Sequence, residues 1–150
     1  MVLLDTDILS LTSPASRLDE QEVRGWREWV RHNVHLLHLS VVTLMEVRFG
    51  VEKLAARGAS RKADDLRRWL AVTETMHGTR LLPVSAEIAH KAGEFLHVAM
   101  AAGVTLSSED ALIAATAHCH GFRLLSRNLR HMSAFGIDVA DPLAIAGRSG

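Results

Sequence analysis

The chain has 150 residues, the usual size of one domain, which is enough to bury one hydrophobic core. Lys plus Arg and Asp plus Glu number 17 each, so the formal net charge is zero. That balance excludes a broadly basic nucleic-acid-binding surface and leaves only a local site for such contacts. Because Cys119 is the single cysteine, no intrachain disulfide can form, which favours a reducing compartment.

The sequence shows no signal-peptide pattern and no apolar run of membrane-spanning length. We therefore expect a cytoplasmic protein without a membrane contact. No repeat, low-complexity stretch or linker divides the chain. We expect one domain over residues 1–150, with a frayed tail at about 147–150.

Short apolar runs alternate with amphipathic stretches along the chain. The runs predict strands at 1–4, 34–39, 81–84 and 122–125, and around Val139. The amphipathic stretches predict helices at 18–33, 40–57, 61–76, 85–102 and 109–120. Residues 5–16 are expected to be a loop or the start of a helix. This alternation predicts an α/β fold, an α/β/α sandwich with a short, mostly parallel central sheet flanked by helices.

Four acids fall where the active sites of open α/β sheets lie, at the carboxyl ends of strands. Asp5 and Asp7 follow the first predicted strand, Glu46 lies in the helix after the second, and Asp110 begins the helix before the fourth. Converging carboxylates repel each other unless a cation lies between them, and oxygen ligands suit Mg²⁺ or Mn²⁺. Such an ion activates a water for attack on phosphorus, which predicts phosphodiester hydrolysis.

Each acid also has an ordinary structural explanation. Thr43 and Glu46 have the spacing of a capping box, Ser107 and Asp110 have a similar spacing, and Asp5 could be a turn residue. Glu109 is next to Asp110, and helical neighbours point about 100° apart, so one ion is not expected to bind both. Spacing alone leaves the convergence of the acids open.

Four segments follow one another along the chain. They are Leu3–Ser10, with sequence LLDTDILS; Ser40–Val51, with sequence SVVTLMEVRFGV; Asp110–Ala117, with sequence DALIAATA; and Leu124–Asn128, with sequence LLSRN. These segments resemble the PIN-domain ribonuclease toxins of toxin–antitoxin systems, in particular the VapC and FitB-like members. Together the four segments extend over most of the chain.

The resemblance assigns roles to individual positions. Asp5, Glu46 and Asp110 match the family's central acids, which implies that they are catalytic and bind Mg²⁺, with Mn²⁺ as a substitute. The expected supporting residues are Thr6, Asp7, Ser126 and Asn128. The candidate RNA contacts are Arg48 and Arg127.

This sequence departs from the family pattern at the fourth acid. Asn128 occupies the matching position, and His131 occupies a nearby position where an aspartate is also common. An amide oxygen can still bind a cation or orient a water. Asp7, in contrast, replaces a residue that is often Asn or Ser. The loss of the fourth acid is expected to weaken a second metal site.

The resemblance implies a type II toxin, an endoribonuclease that cuts tRNA or ribosomal RNA, and a cognate antitoxin. It also implies a homodimer and a toxin–antitoxin hetero-oligomer. One alternative is a catalytically degenerate PIN fold that only binds RNA or protein. A less favoured alternative is an aspartyl-phosphate phosphatase with Asp5 as nucleophile, but Ile8 and Leu9 stand where its Gly-Thr pair is expected.

Two further patterns are interpreted as structural. His118, Cys119 and His120 are consecutive helical positions that do not share a face, so they are not expected to bind zinc. Trp26 and Trp29 are three apart on an amphipathic helix, which favours packing in a core or an interface over base stacking.

Overall fold

The computed structural model describes residues 1–16, 20–128, 132–133 and 135–142. The strands are β1 Val2–Leu4, β2 Leu37–Ser40, β3 Leu81–Leu82, β4 Arg123–Leu125 and β5 Val139–Ala140. The helices are α1 Thr6–Ser10, α2 Glu20–Asn33, α3 Val41–Ala56, α4 Ser60–His77, α5 Ala86–Ala101 and α6 Ser108–His120. Within these ranges, no helix combines the length and apolarity needed to cross a bilayer.

The five strands form one sheet in the order β3-β2-β1-β4-β5, and every neighbouring pair is parallel. β1 is central, with Leu3 opposite His38 of β2 and Leu124 of β4. Because all the strands run the same way, their carboxyl ends lie at one edge. The predicted α/β class with a mostly parallel central sheet is confirmed.

Alternate residues of the central strands face two separate cores. Leu3 and Leu124 belong to a cluster that contains α5 and α6, whereas Leu4 and Leu125 belong to a cluster on the other face that contains α1 and Trp26 of α2. All of these side chains are buried. Parallel strands covered on both faces are apolar throughout, which explains the uninterrupted runs in the sequence.

The helix boundaries lie close to the predicted ones, and serine side chains and a glycine mark them. The side chains of Ser85 and Ser107 cap α5 and α6, accepting from the backbone N–H of Ile88 at 3.2 Å and of Asp110 at 3.0 Å. Gly121 ends α6 with a positive φ of 63°, a left-handed conformation that glycine adopts without the steric cost of a Cβ. The predicted end of this helix is therefore confirmed.

Four predicted strands extended beyond the observed ones, the first by Met1 alone and the other three for reasons that the structure shows. Residues Val34–Leu36 form a single 3-10 turn that closes α2, so β2 begins only at Leu37. β3 stops before Pro83, which has no N–H for the ladder. Phe122 donates its N–H to the Ala117 carbonyl at 2.9 Å in the end of α6 and is excluded from β4.

The tryptophans of α2 lie in the core, as their spacing predicted. Trp26 is completely buried, and its ring stacks on that of Trp29 with the centroids 5.2 Å apart. The Trp26 ring is not a platform for a base because it is buried, and Trp26 covers one face of the half-buried Trp29 ring.

Candidate active site

The acids follow strands whose carboxyl ends share one edge of the sheet. Asp5 comes directly after β1, and its backbone N–H donates to the Leu125 carbonyl of β4 at 3.0 Å. Ser126 follows β4, and α3, which carries Glu46, begins directly after β2. The fold therefore brings three neighbouring strand ends together, as the sequence predicted.

Asp5 is the most enclosed acid of this edge, with only 6% of its surface exposed. The Ser126 hydroxyl donates to its Oδ2 at 2.7 Å, and the backbone N–H of Thr6 donates to its Oδ1 at 2.7 Å. Burial raises the pKa of Asp5 to about 6, although the hydrogen bond from Ser126 acts in the opposite direction. The negative charges of Asp7 and Asp110 raise this pKa further.

Glu46 accepts a short hydrogen bond from the hydroxyl of Thr6, which joins α3 to the start of α1. It does not complete a capping box, because the cap of α3 is Ser40, whose hydroxyl accepts from Val42 N–H at 3.2 Å. Burial raises the pKa of Glu46, and so do the negative charges of Asp110, Glu109 and Asp7. Glu46 is therefore near enough to these acids for their charges to change its pKa, and we call Asp5, Asp7, Glu46 and Asp110 the acidic cluster.

Thr43 is a residue of this site that the sequence reasoning missed. Its hydroxyl lies 3.4 Å from that of Thr6, and the residue is completely buried. Because a hydroxyl has one proton and Thr6 gives its proton to Glu46, Thr43 acts as the donor to Thr6. Thr43 precedes Glu46 by three positions, a spacing that puts both on one helical face and could have revealed it.

Asp110 lies in the first turn of α6, where Ser107 caps the helix. Its negative charge raises the pKa of both Asp5 and Glu46. For Glu46, the effect of Asp110 is larger than that of the neighbouring Glu109. The charge of Asp110 therefore acts on both other acids, and it acts on Glu46 more strongly than that of Glu109 does.

Asp7 and Arg127 form an ion pair beside these acids. Arg127 Nε donates to Asp7 Oδ2 at 3.2 Å, and 39% of the Asp7 side chain is exposed. The other carboxylate oxygen of Asp7, Oδ1, is shielded from solvent and accepts no hydrogen bond. The pair connects α1 to the segment after β4.

Ser126 connects Asp5 to the position where the fourth acid was expected. Its hydroxyl donates to Asp5 and accepts from the backbone N–H of Asn128 at 3.0 Å. Asn128 is half-buried. His131, the other position considered for a fourth acid, lies outside the described residues.

Arg48, a candidate RNA contact, is not brought to the acids. It comes two positions after Glu46, which turns it about 200° around the helix. Its guanidinium instead pairs with Glu52 at 2.7 Å, and both side chains are exposed. RNA contact by Arg48 stays a prediction, and the structure offers it no link to the acidic cluster.

The acids influence each other electrostatically without closing around one point. Within the ranges that the structure describes, no group of three or more His, Cys, Asp or Glu side chains is arranged to hold a metal ion. Burial is the main cause of the raised pKa values of Asp5 and Glu46, and the like charges of the neighbouring acids raise them further.

A groove of about 630 Å³ is lined at one end by Asp7 and Glu46 and continues between α1, α3 and α4. Its acidic end includes Asp7, Glu46 and Arg127, and its far wall is apolar, with Leu54 and Trp69. A charged end and an apolar wall in one concave surface suit an extended polypeptide that carries both kinds of side chain.

Residues 2–136 match the family model described as "PIN domain". The chain belongs to the PIN-domain family. The resemblance seen in the sequence is therefore confirmed. Asp5, Glu46 and Asp110 each lie in one of the segments that carried this resemblance.

Two curated proteins are similar to this PIN domain over nearly their whole length. "VapC ribonuclease Y4jK" of Sinorhizobium fredii is 29% identical over 142 residues, which are 95% of this chain and 97% of that protein. "Plasmid stability protein StbB" of Pseudomonas syringae pv. tomato is 30% identical over 143 residues, 95% of this chain and 98% of that protein.

Solved structures share the fold. FitAcB from Neisseria gonorrhoeae superposes with a TM-score of 0.79 at 26% identity, covering 95% of this chain and 98% of that one. DNA-bound VapBC from Salmonella typhimurium gives a TM-score of 0.68 at 26% identity, covering 94% and 97%. Both support an α/β PIN fold of the VapC and FitB kind.

Proposed function

We propose that this PIN domain is a metal-dependent endoribonuclease and the toxin of a type II toxin–antitoxin system. Asp5, Glu46 and Asp110 would hold Mg²⁺ or Mn²⁺. The observation that carries this proposal is the coupled acidic edge, in which hydroxyls fix Asp5 and Glu46 and Asp110 acts electrostatically on both. The VapC ribonuclease among the relatives supports the same activity.

The residues present suit a hard divalent cation. They offer carboxylate oxygens, which Mg²⁺ and Mn²⁺ prefer. A positive charge would favour the ionised form of Asp5, whose pKa is raised by burial and, to a smaller extent, by the charges of Asp7 and Asp110. The shielded Oδ1 of Asp7, which has no donor, also fits a cation nearby. When bound, the ion would supply Lewis-acid chemistry for hydrolysis of the RNA phosphodiester by water.

The chain's own residues would orient the reacting groups. Ser126 and the backbone of Thr6 each fix one oxygen of Asp5, and the Thr6 hydroxyl fixes Glu46. Rigid carboxylates reduce the reorganisation needed in the transition state. Arg127, exposed at the mouth of the site, would contact an RNA phosphate.

The groove supports an antitoxin as the protein partner. VapBC of Salmonella typhimurium, a solved relative, is bound to DNA in that structure. An antitoxin segment with apolar side chains would cover the wall near Leu54 and Trp69, and a basic side chain would enter the acidic end. By this proposal the antitoxin blocks the site that cuts RNA.

Further parts of the proposal rest on the family resemblance. The substrate would be tRNA or ribosomal RNA, and the toxin would be a homodimer within a larger complex with its antitoxin. Its place of action would be the cytoplasm, and residues 1–150 would be one PIN domain.

The deciding experiment is cleavage of total bacterial RNA by the purified, antitoxin-free protein. Reactions contain Mg²⁺, Mn²⁺ or EDTA, and a parallel set uses Asp5→Asn. We expect discrete fragments with either metal, none in EDTA, and a loss of at least about 100-fold in the variant, because Asp5 is a proposed metal ligand. Equal fragments with and without EDTA would contradict the proposal.

A degenerate PIN fold that only binds RNA or protein is the second candidate. It is favoured by the amide at Asn128 and by the absence, among the described residues, of acids arranged around one metal point. Mn²⁺ titration separates the two candidates, because a degenerate site binds the ion poorly. Tight Mn²⁺ binding that Asp5→Asn abolishes excludes the degenerate candidate.

A further inference from the structure

Asp7 has an oxygen whose surroundings are incomplete. Its Oδ2 accepts from Arg127 Nε at 3.2 Å, but its Oδ1 is shielded from solvent and has no hydrogen-bond partner. A carboxylate oxygen kept from water without a donor is unfavourable unless another group compensates its charge. The orphaned oxygen therefore indicates that a cationic or donating group belongs beside it.

The surroundings of Asp7 are those of the candidate metal site. Asp7 lines the same groove as Thr6 and Glu46. Its negative charge acts on both Asp5 and Glu46, raising the pKa of each. A cation among these acids would compensate Asp7 together with the others, whereas a neutral donor would satisfy Oδ1 alone.

Asp7 also lies beside the position where a fourth acid was expected and is missing. Asn128 is fixed by its N–H donation to Ser126, which holds Asp5, and the adjacent Arg127 pairs with Asp7. Position 7 is thus joined by Arg127 to the segment after β4, and position 128 of that segment is linked to Asp5 through Ser126. The charge that is missing at position 128 is present at position 7.

We propose that Asp7 supplies the fourth carboxylate of the cation site, in place of an acid at position 128, and that Arg127 holds its side chain there. Oδ1 would be the oxygen available to the ion, while Oδ2 accepts from Arg127. This inference rests on the proposed metal-dependent function. Asp7 would then be a metal ligand in addition to Asp5, Glu46 and Asp110.

Mn²⁺ binding by the antitoxin-free full chain, followed by the electron paramagnetic resonance signal of the free ion, tests the inference. The variants are Asp7→Asn, Asn128→Asp and the double variant. We expect Asp7→Asn to weaken Mn²⁺ binding by about tenfold or more, and the double variant to return within about threefold of the original affinity. The double variant restores the number of carboxylates at the other position.

Asp138→Asn is the matched control. Asp138 also accepts from an arginine Nε, that of Arg123, at 2.7 Å, but Arg123 begins β4 at the opposite edge of the sheet. This control removes the same charge and the same kind of ion pair, so its Mn²⁺ affinity should stay unchanged. Equal thermal melting of the apo variants shows that the fold is intact.

Each outcome is decisive. If Asp7→Asn binds Mn²⁺ as tightly as the original chain while Asp5→Asn does not bind, the Asp7 inference is wrong and the proposed function stands. If Asp7→Asn is weak but the double variant is no better, Asp7 is not a substitute for an acid at position 128. If the original chain does not bind Mn²⁺, both proposals fail.

Discussion

Asp5 makes the apo protein less stable at neutral pH, because its buried carboxylate is hard to ionise. Its pKa is about 6 in the folded state against 3.8 as the ordinary value, so the folded state binds the proton more tightly. The free energy of unfolding therefore falls as the pH rises from about 4 to 6, and the loss is complete above that. A shift of this size corresponds to at most about 3 kcal/mol.

We expect Asp5→Asn to be more stable than the original chain by about 2 kcal/mol at pH 7.5 in EDTA, with the difference vanishing near pH 4. Urea unfolding of both proteins across this range measures the difference. The exposed pair partner Asp138, changed to Asn, serves as the control and should show no such gain. A gain in Asp5→Asn that is independent of pH would mean that desolvation of the carboxylate is not its cause.

Thr43 extends the chain of hydroxyls that holds Glu46. We expect Thr43→Val to preserve packing, since the two side chains have similar shapes, but to remove the proton that Thr6 accepts. RNA cleavage and Mn²⁺ affinity should each fall by about tenfold, and Thr43→Ser should restore them because it keeps the hydroxyl.

Thr73→Val is the control for this change. Thr73 is also a buried helical threonine, but its hydroxyl donates to the Trp69 carbonyl within α4 at 2.9 Å. Cleavage by this variant should match the original chain. A loss in Thr43→Ser as large as in Thr43→Val would assign the effect to packing instead of the hydroxyl.

At the scale of single elements, two serines that cap helices should have similar effects on stability but different effects on the active site. Ser107 and Ser85 each cap a long helix through one hydroxyl, but only the helix of Ser107 carries Asp110. Either change to Ala should lower the free energy of unfolding by about 1 kcal/mol. Only Ser107→Ala should also lower RNA cleavage, because the first turn that positions Asp110 would fray.

Chemical unfolding and cleavage rates of the two variants, measured at a temperature where both are fully folded, test this difference. Equal loss of cleavage in Ser85→Ala and Ser107→Ala would mean that cleavage follows overall stability. If both variants kept the full cleavage rate, Asp110 would hold its position without the Ser107 cap.

The sequence predicted the long elements well, because capping serines, terminal glycines and apolar periodicity are local signals. The short strands were less predictable, since their limits depend on partners: Phe122 gives its N–H to α6 and Pro83 has none to give. The candidate acids could be listed from strand ends. The spacing of Thr43 and Glu46 could have shown that they share a helical face. The contacts of Thr43 with Thr6 and of Asp7 with Arg127 could not be predicted, because they join elements distant in sequence.

At the scale of the whole molecule, a formal net charge of zero gives RNA no general attraction to this protein. The acidic edge repels phosphate when no cation is bound, and the exposed arginines Arg48 and Arg68 are paired with acids. RNA binding should therefore depend on the divalent ion and only weakly on monovalent salt. This distinguishes it from a basic RNA-binding protein, whose affinity falls steeply with salt.

We expect the affinity for bulk tRNA, measured by filter binding on ice to limit cleavage, to be at least about tenfold higher in Mg²⁺ than in EDTA. In Mg²⁺, the slope of log affinity against log KCl concentration should correspond to about three or fewer phosphate contacts. Asp5→Asn should lose most of the Mg²⁺ dependence, because it removes a proposed ligand, whereas Asp138→Asn should keep it. Equal binding in EDTA and Mg²⁺ with a steep salt slope would instead place the RNA on a cationic surface away from the acids.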